Sequence, residues 1–184
     1  MLITLNVFSQ RIEVNKIDDF TKSHIIKTNM LESTNPNRVI FKKSDYIDIT
    51  NELLFSMSYY KSSDTTEVYY MSVMFTVDLG CLSQYDGKMM VILDDNTVLT
   101  FMQFSNTDCS SVLRADYYLL NREDSDKPIW RETMADNILK LLSHKVFKIR
   151  IYGSKYYNDF ILKPEKQNII SSHLNIINGV KDIK

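Results

Sequence analysis

The sequence predicts an α+β fold, a curved antiparallel β-sheet or partly open barrel with two helices in the C-terminal third. Three observations predict it. Only two of the 184 residues are alanine, whereas Ile, Val and Thr number 42, and 63 together with Tyr, Phe and Trp. Residues that fit a pleated surface therefore outnumber the best helix formers. Polarity switches with period two through the middle of the chain and with helical spacing only near its end. Four tyrosine doublets, Tyr59-Tyr60, Tyr69-Tyr70, Tyr117-Tyr118 and Tyr156-Tyr157, fall in strand-like stretches. Neighbouring strand side chains point to opposite faces, so each doublet predicts one phenol on either side of a sheet. The second face is then partly covered or used for contact.

Taken in order, Ile3 to Phe8, Arg11 to Val14 and Val39 to Phe41 read as strands, and Asn29 to Asn37 as a loop. Leu53, Phe55, Met57 and Tyr59 alternate with Ser56 and Ser58, and Tyr69, Met71, Val73, Phe75 and Val77 form a second apolar row. Met89 to Leu93, a turn at Asp94-Asp95-Asn96-Thr97 and Val98 to Phe104 make a β-hairpin, followed by a strand from Ala115 to Leu120. Thr133 is placed to cap a helix, with Asp136 three residues on and Met134, Ile138, Leu141 and Leu142 as its apolar stripe. Val146 to Tyr152 and Tyr156 to Leu162 form a hairpin turned at Gly153-Ser154. A last helix follows Pro164, carries Ile169, Ile170, His173, Leu174, Ile176 and Ile177, and ends at Gly179. The length suits a single domain, 1–184, with no linker-like composition.

Bulk properties narrow the function. A formal net charge of −1 disfavours nucleic acid as the main partner. The N-terminal run is too short and too interrupted for a signal peptide, and no window reaches a membrane-spanning length. Cys81 and Cys109 have no metal-ligand spacing and suit a reducing compartment, although one disulfide between strand ends stays open. The expected location is cytoplasmic.

Candidate chemistry weighs out on the structural side. None of His24, His144 and His173 has a partner at a zinc spacing; His144 suits a helix C-terminus and His173 the edge of the core. Asp94-Asp95-Asn96 lacks the spacing of a calcium loop and is a turn. Asp108-Cys109-Ser110-Ser111 offers a thiol with no base placed beside it, so it reads as a polar connection. Lys140, His144, Lys145, Lys148, Arg150 and Lys155, interleaved with Tyr152, Tyr156 and Tyr157, resemble a single-strand nucleic-acid surface, yet suit a solvated sheet face better. Phosphate-binding glycine loops, nucleophile elbows and paired carboxylates are missing from the sequence. No catalytic, cofactor-binding or metal-binding residue is assigned, and no cofactor is expected.

Ile17-Asp18-Asp19-Phe20-Thr21 leading to Thr28, Tyr85-Asp86-Gly87-Lys88 through Leu93-Asp94-Asp95 to Thr100, and Lys148-Ile149-Arg150-Ile151-Tyr152 leading to Asp159-Phe160 occur in that order. The arrangement resembles a group of small uncharacterised bacterial α+β proteins in which a D-x-F-T segment, an L-D-D hairpin and an I-R-I strand precede a final helix. The resemblance implies no activity and no site residues. It implies that Asp18 to Thr28 is an ordered part of the domain.

The expectation is a non-enzymatic binding or assembly module with tyrosines on both sheet faces, in its simplest form a homodimer through a sheet edge or face. The alternative is a small-molecule binder or hydrolase with a pocket between sheet and helices, lined by methionines such as Met71, Met74, Met89, Met90 and Met102.

Overall fold

The structure is a computed structural model that describes residues 10–32, 53–63 and 66–181. Ten strands are described: β1 (Ile12–Ile17), β2 (His24–Thr28), β3 (Leu31–Glu32), β4 (Leu54–Lys61), β5 (Glu67–Phe75), β6 (Lys88–Leu93), β7 (Val98–Gln103), β8 (Leu113–Tyr118), β9 (Val146–Tyr152) and β10 (Tyr157–Ile161). They pair in the order β1-β2-β4-β5-β8-β7-β6-β9-β10, with β3 beside β4, and every pairing is antiparallel. Among the described residues the sheet is open, with β1 and β10 at its two ends. Three helices follow the first eight strands: a single turn α1 (Arg122–Ser125), then α2 (Trp130–Ser143) and, after β10, α3 (Ile169–Val180).

One face of this sheet carries the core. Met89, Val91 and Leu93 of β6, Leu99 and Phe101 of β7, Leu113, Ala115 and Tyr117 of β8, and Ile149 and Ile151 of β9 are all buried, with their strand neighbours on the other side. Met134 and Leu141 of α2 and Ile170, Leu174 and Ile177 of α3 close the same cluster. Fully burying each such side chain contributes about 1.5–3 kcal/mol, which explains why period two and the helical stripe survive in the sequence. We call this the helix face and its reverse the outer face.

Local chemistry sets the joints. Asp18 Oδ1 accepts from the backbone of Phe20 and Thr21 and from the Thr21 hydroxyl, holding the turn between β1 and β2. Residues 18–28 are thus ordered, and β2 adds a strand that the alternation of the sequence does not announce. Thr28 extends the ladder with its side chain: its hydroxyl donates to the Met57 carbonyl and accepts from the Met57 amide. At the β9–β10 turn a Cβ on Gly153 would stand 2.3 Å from the Leu79 carbonyl oxygen, so only glycine allows the hairpin tip to seat on the β5–β6 connection.

Several boundaries move. α2 starts at Trp130, and Thr133 lies inside it, its hydroxyl donating to Ile129 O, so Thr133 is not the cap. The side-chain cap belongs to Asn121, which accepts from the Asp124 amide at the start of α1. Pro164 opens a 3₁₀ turn ahead of α3, and Gly179 sits within the last turn of α3, where a Cβ would meet open space. Part of the expected Asn29–Asn37 loop pairs as β3. The strands expected at Ile3 to Phe8 and Val39 to Phe41 lie outside the described residues. Among the described residues no helix is long and apolar enough to cross a membrane.

His173 departs further from expectation, because it is fully buried in the helix-face core rather than at its edge. Its ring lies 5.5 Å from that of Phe55, and neither ring nitrogen has a hydrogen-bond partner among the described residues. Burial disfavours the charged imidazolium and lowers its pKa from 6.5 to about 4. The neutral ring is the folded form, so the unfolded chain binds more protons between those values. Stability contributed at neutral pH is therefore lost as pH falls from about 6.5 to about 4, by roughly 3 kcal/mol. Replacing His173→Leu should remove that loss and raise stability at pH 7 by about 1 kcal/mol, because two unpaired nitrogens leave the core. Denaturant midpoints of both proteins across this pH window check it; parallel pH dependences would contradict a buried neutral imidazole.

Candidate functional site on the outer face of the sheet

The tyrosine doublets divide as their spacing requires. Tyr59, Tyr69 and Tyr117 are buried on the helix face, while Tyr60, Tyr70 and Tyr118 are half-buried on the outer face. In the fourth doublet Tyr157 is in β10 and Tyr156 precedes it in the hairpin turn, and both are exposed. Sheet register then gathers the outward phenols. Tyr70 pairs with Tyr118, Tyr118 with Met102, Met102 with Lys88, and Tyr152 with Tyr157. Lys88 Nζ lies 4.7 Å from the centre of the Tyr152 ring and joins the two halves. The outcome is one row, Tyr70-Tyr118-Met102-Lys88-Tyr152-Tyr157, running across six adjacent strands.

Aromatic and ionic contacts fix the two ends of that row. Phe104, just beyond β7, stacks on Tyr118 at 4.0 Å and meets Tyr70 edge-on at 5.4 Å. Burial, with Tyr70 alongside, holds the Tyr118 hydroxyl above the usual phenol range. At the other end Arg150 forms a forked pair with Asp159, Nε to Oδ1 at 2.5 Å and one terminal nitrogen to Oδ2 at 2.8 Å. Lys148 reaches the same carboxylate at 3.2 Å. The Arg150 guanidinium beside Asp159, assisted by Lys148, holds that carboxyl below its usual range. Arg150 also lies over the Tyr157 ring at 4.1 Å, and the Tyr152 hydroxyl donates to the Met90 sulfur.

Two clefts flank the row. The larger, of about 610 Å³, lies on the outer face over Ser72, Met74, Arg114 and Asp116, with Asn106 and Lys27 in its walls. The smaller, of about 460 Å³, adjoins Cys81 and Cys109 with Ser110, Ser154 and Lys155. Neither is lined by a described residue of α2 or α3. Met71 and Met89 fill the core on the helix face, whereas Met74, Met90 and Met102 stand on the outer face. The methionines therefore do not surround one space between sheet and helices.

Cys81 and Cys109 are joined in a disulfide, which corrects the expectation of two isolated thiols. No thiol remains in Asp108-Cys109-Ser110-Ser111 to act as a nucleophile. The bond ties the β5–β6 connection to the β7–β8 loop, reinforced by backbone bonds in both directions between Leu82 and Asp108. The same loop supplies Ser105 to Asp108 to the larger cleft. Sequence spacing carries no sign of this meeting, because the two cysteines come together only once β8 has paired with β5.

Side-chain contacts engage His24 and His144. His24 Nε2 bonds Asn15 on the neighbouring strand. His144 caps the C-terminus of α2 and directs Nδ1 to Asp94 at 3.1 Å and Nε2 to Asp95 at 3.8 Å. These three side chains bring one ligand atom each within 4.8 Å of the others. Asp94 and Asp95 are exposed and His144 is half-buried, and the Asp95 carboxylate is already engaged with Thr97.

No protein-family model, curated protein or solved structure matches the chain. Replacing Cys81→Ser and Cys109→Ser together should cost about 3–4 kcal/mol, given their sequence separation of 28. Amide exchange should quicken over residues 105–111, and the unreduced wild type, once denatured, should titrate no free thiol. A wild type with two titratable thiols would contradict the bonded pair.

Proposed function

We propose that the protein is a non-enzymatic binding or assembly module whose contact surface is the outer face of the sheet. The observation that carries this is the row of four tyrosines, one methionine and one lysine aligned by register on the face away from the helices. Large, stiff, amphipathic side chains left half in water are the composition of a contact surface, since tyrosine offers area with few rotors and a polar tip. A sheet nine positions wide is expected to coil, so the curved, partly open form belongs to this proposal. Self-association through this face is its simplest version, because a two-fold axis would lay one row against its copy.

Other assignments follow from the same face. Lys148 and Arg150 share Asp159, and so offer less to a nucleic acid than their number in the sequence suggests. The helix–sheet interior is packed by side chains, which favours the surface over an internal pocket and a hydrolase. A cytoplasmic location requires the cysteines to be reduced, whereas the bonded pair favours an oxidising compartment. The resemblance to the small bacterial α+β group adds no activity to this proposal.

Amide NMR of the isotopically labelled protein, over a concentration series, tests it. Self-association should move the resonances of Tyr70, Met102, Tyr118, Tyr152 and Tyr157 together. Spectra independent of concentration would remove the assembly version. Shifts centred on α2 or α3, for self-association or for any ligand, would overturn the outer face as the contact surface.

A further inference from the structure

We propose that Cys109 is a thiol-exchange site, at which a small dithiol opens the Cys81–Cys109 bond in the folded protein and frees the β7–β8 loop from the β5–β6 connection. The bond is within reach of solvent: Cys109 is exposed, as are Ser110 and Ser111 beside it, while Cys81 is half-buried. Both cysteines line the smaller cleft, of about 460 Å³, which gives an incoming thiol room beside the bond. Exposed disulfides of this kind are the labile ones, whereas a bond sealed in a core waits for unfolding. The proposal stands whether or not the outer face is the contact surface.

The surroundings decide which sulfur is attacked. Cys81 is anchored by the β9–β10 turn: its amide donates to the Ser154 hydroxyl, and its carbonyl accepts from the Ser154 amide, both at 2.9 Å. The Lys155 amide donates to the Leu79 carbonyl at 3.0 Å, and the Lys155 side chain passes close over Gly80, next to Cys81. Lys155 is the one cation among the described residues lining this cleft, and the carboxylate there, Asp78, is engaged by the Gly80 amide. A nearby cation stabilises a thiolate, and a stabilised thiolate leaves faster. The exposed sulfur is therefore the one attacked, and the anchored one beside Lys155 is the one that leaves.

One thiolate of the dithiol attacks Cys109 Sγ, the Cys81–Cys109 bond breaks, and Cys81 departs as a thiolate. The second thiolate of the reagent then attacks the reagent sulfur of the mixed disulfide, and Cys109 departs in turn. The dithiol ends oxidised as a disulfide, and its two protons reach the two cysteines through water. The opening is local. Leu82 and Asp108 still exchange both backbone bonds, and β8 stays paired with β5. The change falls on the loop whose residues Ser105 to Asp108 wall the larger cleft, so thiol chemistry in one cleft alters the shape of the other.

Reduction of the folded protein by dithiothreitol, followed by alkylation and mass spectrometry, tests the proposal. The rate should rise in proportion to dithiothreitol and stay level in urea below the unfolding transition. A rate that climbs with urea and saturates at the unfolding rate would overturn attack on the folded state. Lys155→Gln should slow reduction about threefold at an unchanged unfolding midpoint, and Lys155→Arg should keep the wild-type rate. A rate untouched by Lys155→Gln would overturn the leaving-group assignment. Quenching a reaction with 2-mercaptoethanol by iodoacetamide should leave the mercaptoethanol adduct on Cys109 and the alkyl group on Cys81; the reverse placement would contradict it. On reduction, amide resonances of residues 105–111 should shift while those of β4 and α3 hold still. Loop resonances left in place, or loss of the folded spectrum, would sink the local release.

Discussion

Antiparallel register, with side chains alternating between two faces, is the constraint on which the rest of this molecule depends. Once Met57 is paired with Met71 and Met71 with Tyr117, the burial of those three side chains dictates that Ser58, Tyr70 and Tyr118 face the other way. A slip of one residue in any strand would send its apolar set to the outer face and its tyrosine into the core. Burial on the helix face is worth several kcal/mol per strand, far more than any contact among the outward tyrosines. The core therefore holds the register, and the outer surface inherits its alignment from it.

The two faces are built by different physics. On the helix face, area removed from water does the stabilising, and polar atoms are tolerated at some cost, as with the unpartnered nitrogens of His173. On the outer face, contacts are aromatic stacking, cation–ring approaches and a forked ion pair, all half in water. Such interactions are individually modest and mainly orient the groups that make them. The Tyr118–Phe104 stack and the Arg150–Asp159 fork give an otherwise pliable surface a fixed pattern of hydroxyls and charges.

Much of this was legible in the sequence, and the residues show why. The hairpin of β6 and β7, the two long helices and the division of Tyr59-Tyr60, Tyr69-Tyr70 and Tyr117-Tyr118 rest on local periodicity, which a single chain displays openly. Thr133 misled because a threonine before an apolar stripe has the form of a cap, while α1 and its Asn121 cap had already begun the helical region. β2 was hidden because His24, Lys27 and Thr28 interrupt its alternation, and its place is held by a turn at Asp18 and by pairing with β4. The disulfide and the row across six strands depend on strand order. Nothing local records that β8 returns beside β5, or that β9 lies beside β6.

Chemical nitration of the folded protein, located by mass spectrometry, tests the two-faced register most directly. Tyr60, Tyr70 and Tyr118 should react while their doublet partners Tyr59, Tyr69 and Tyr117, at most 5% exposed, stay protected until the protein unfolds. Reaction of the first tyrosine in these doublets, or equal reaction of both, would contradict the pairing from which the outer surface is built.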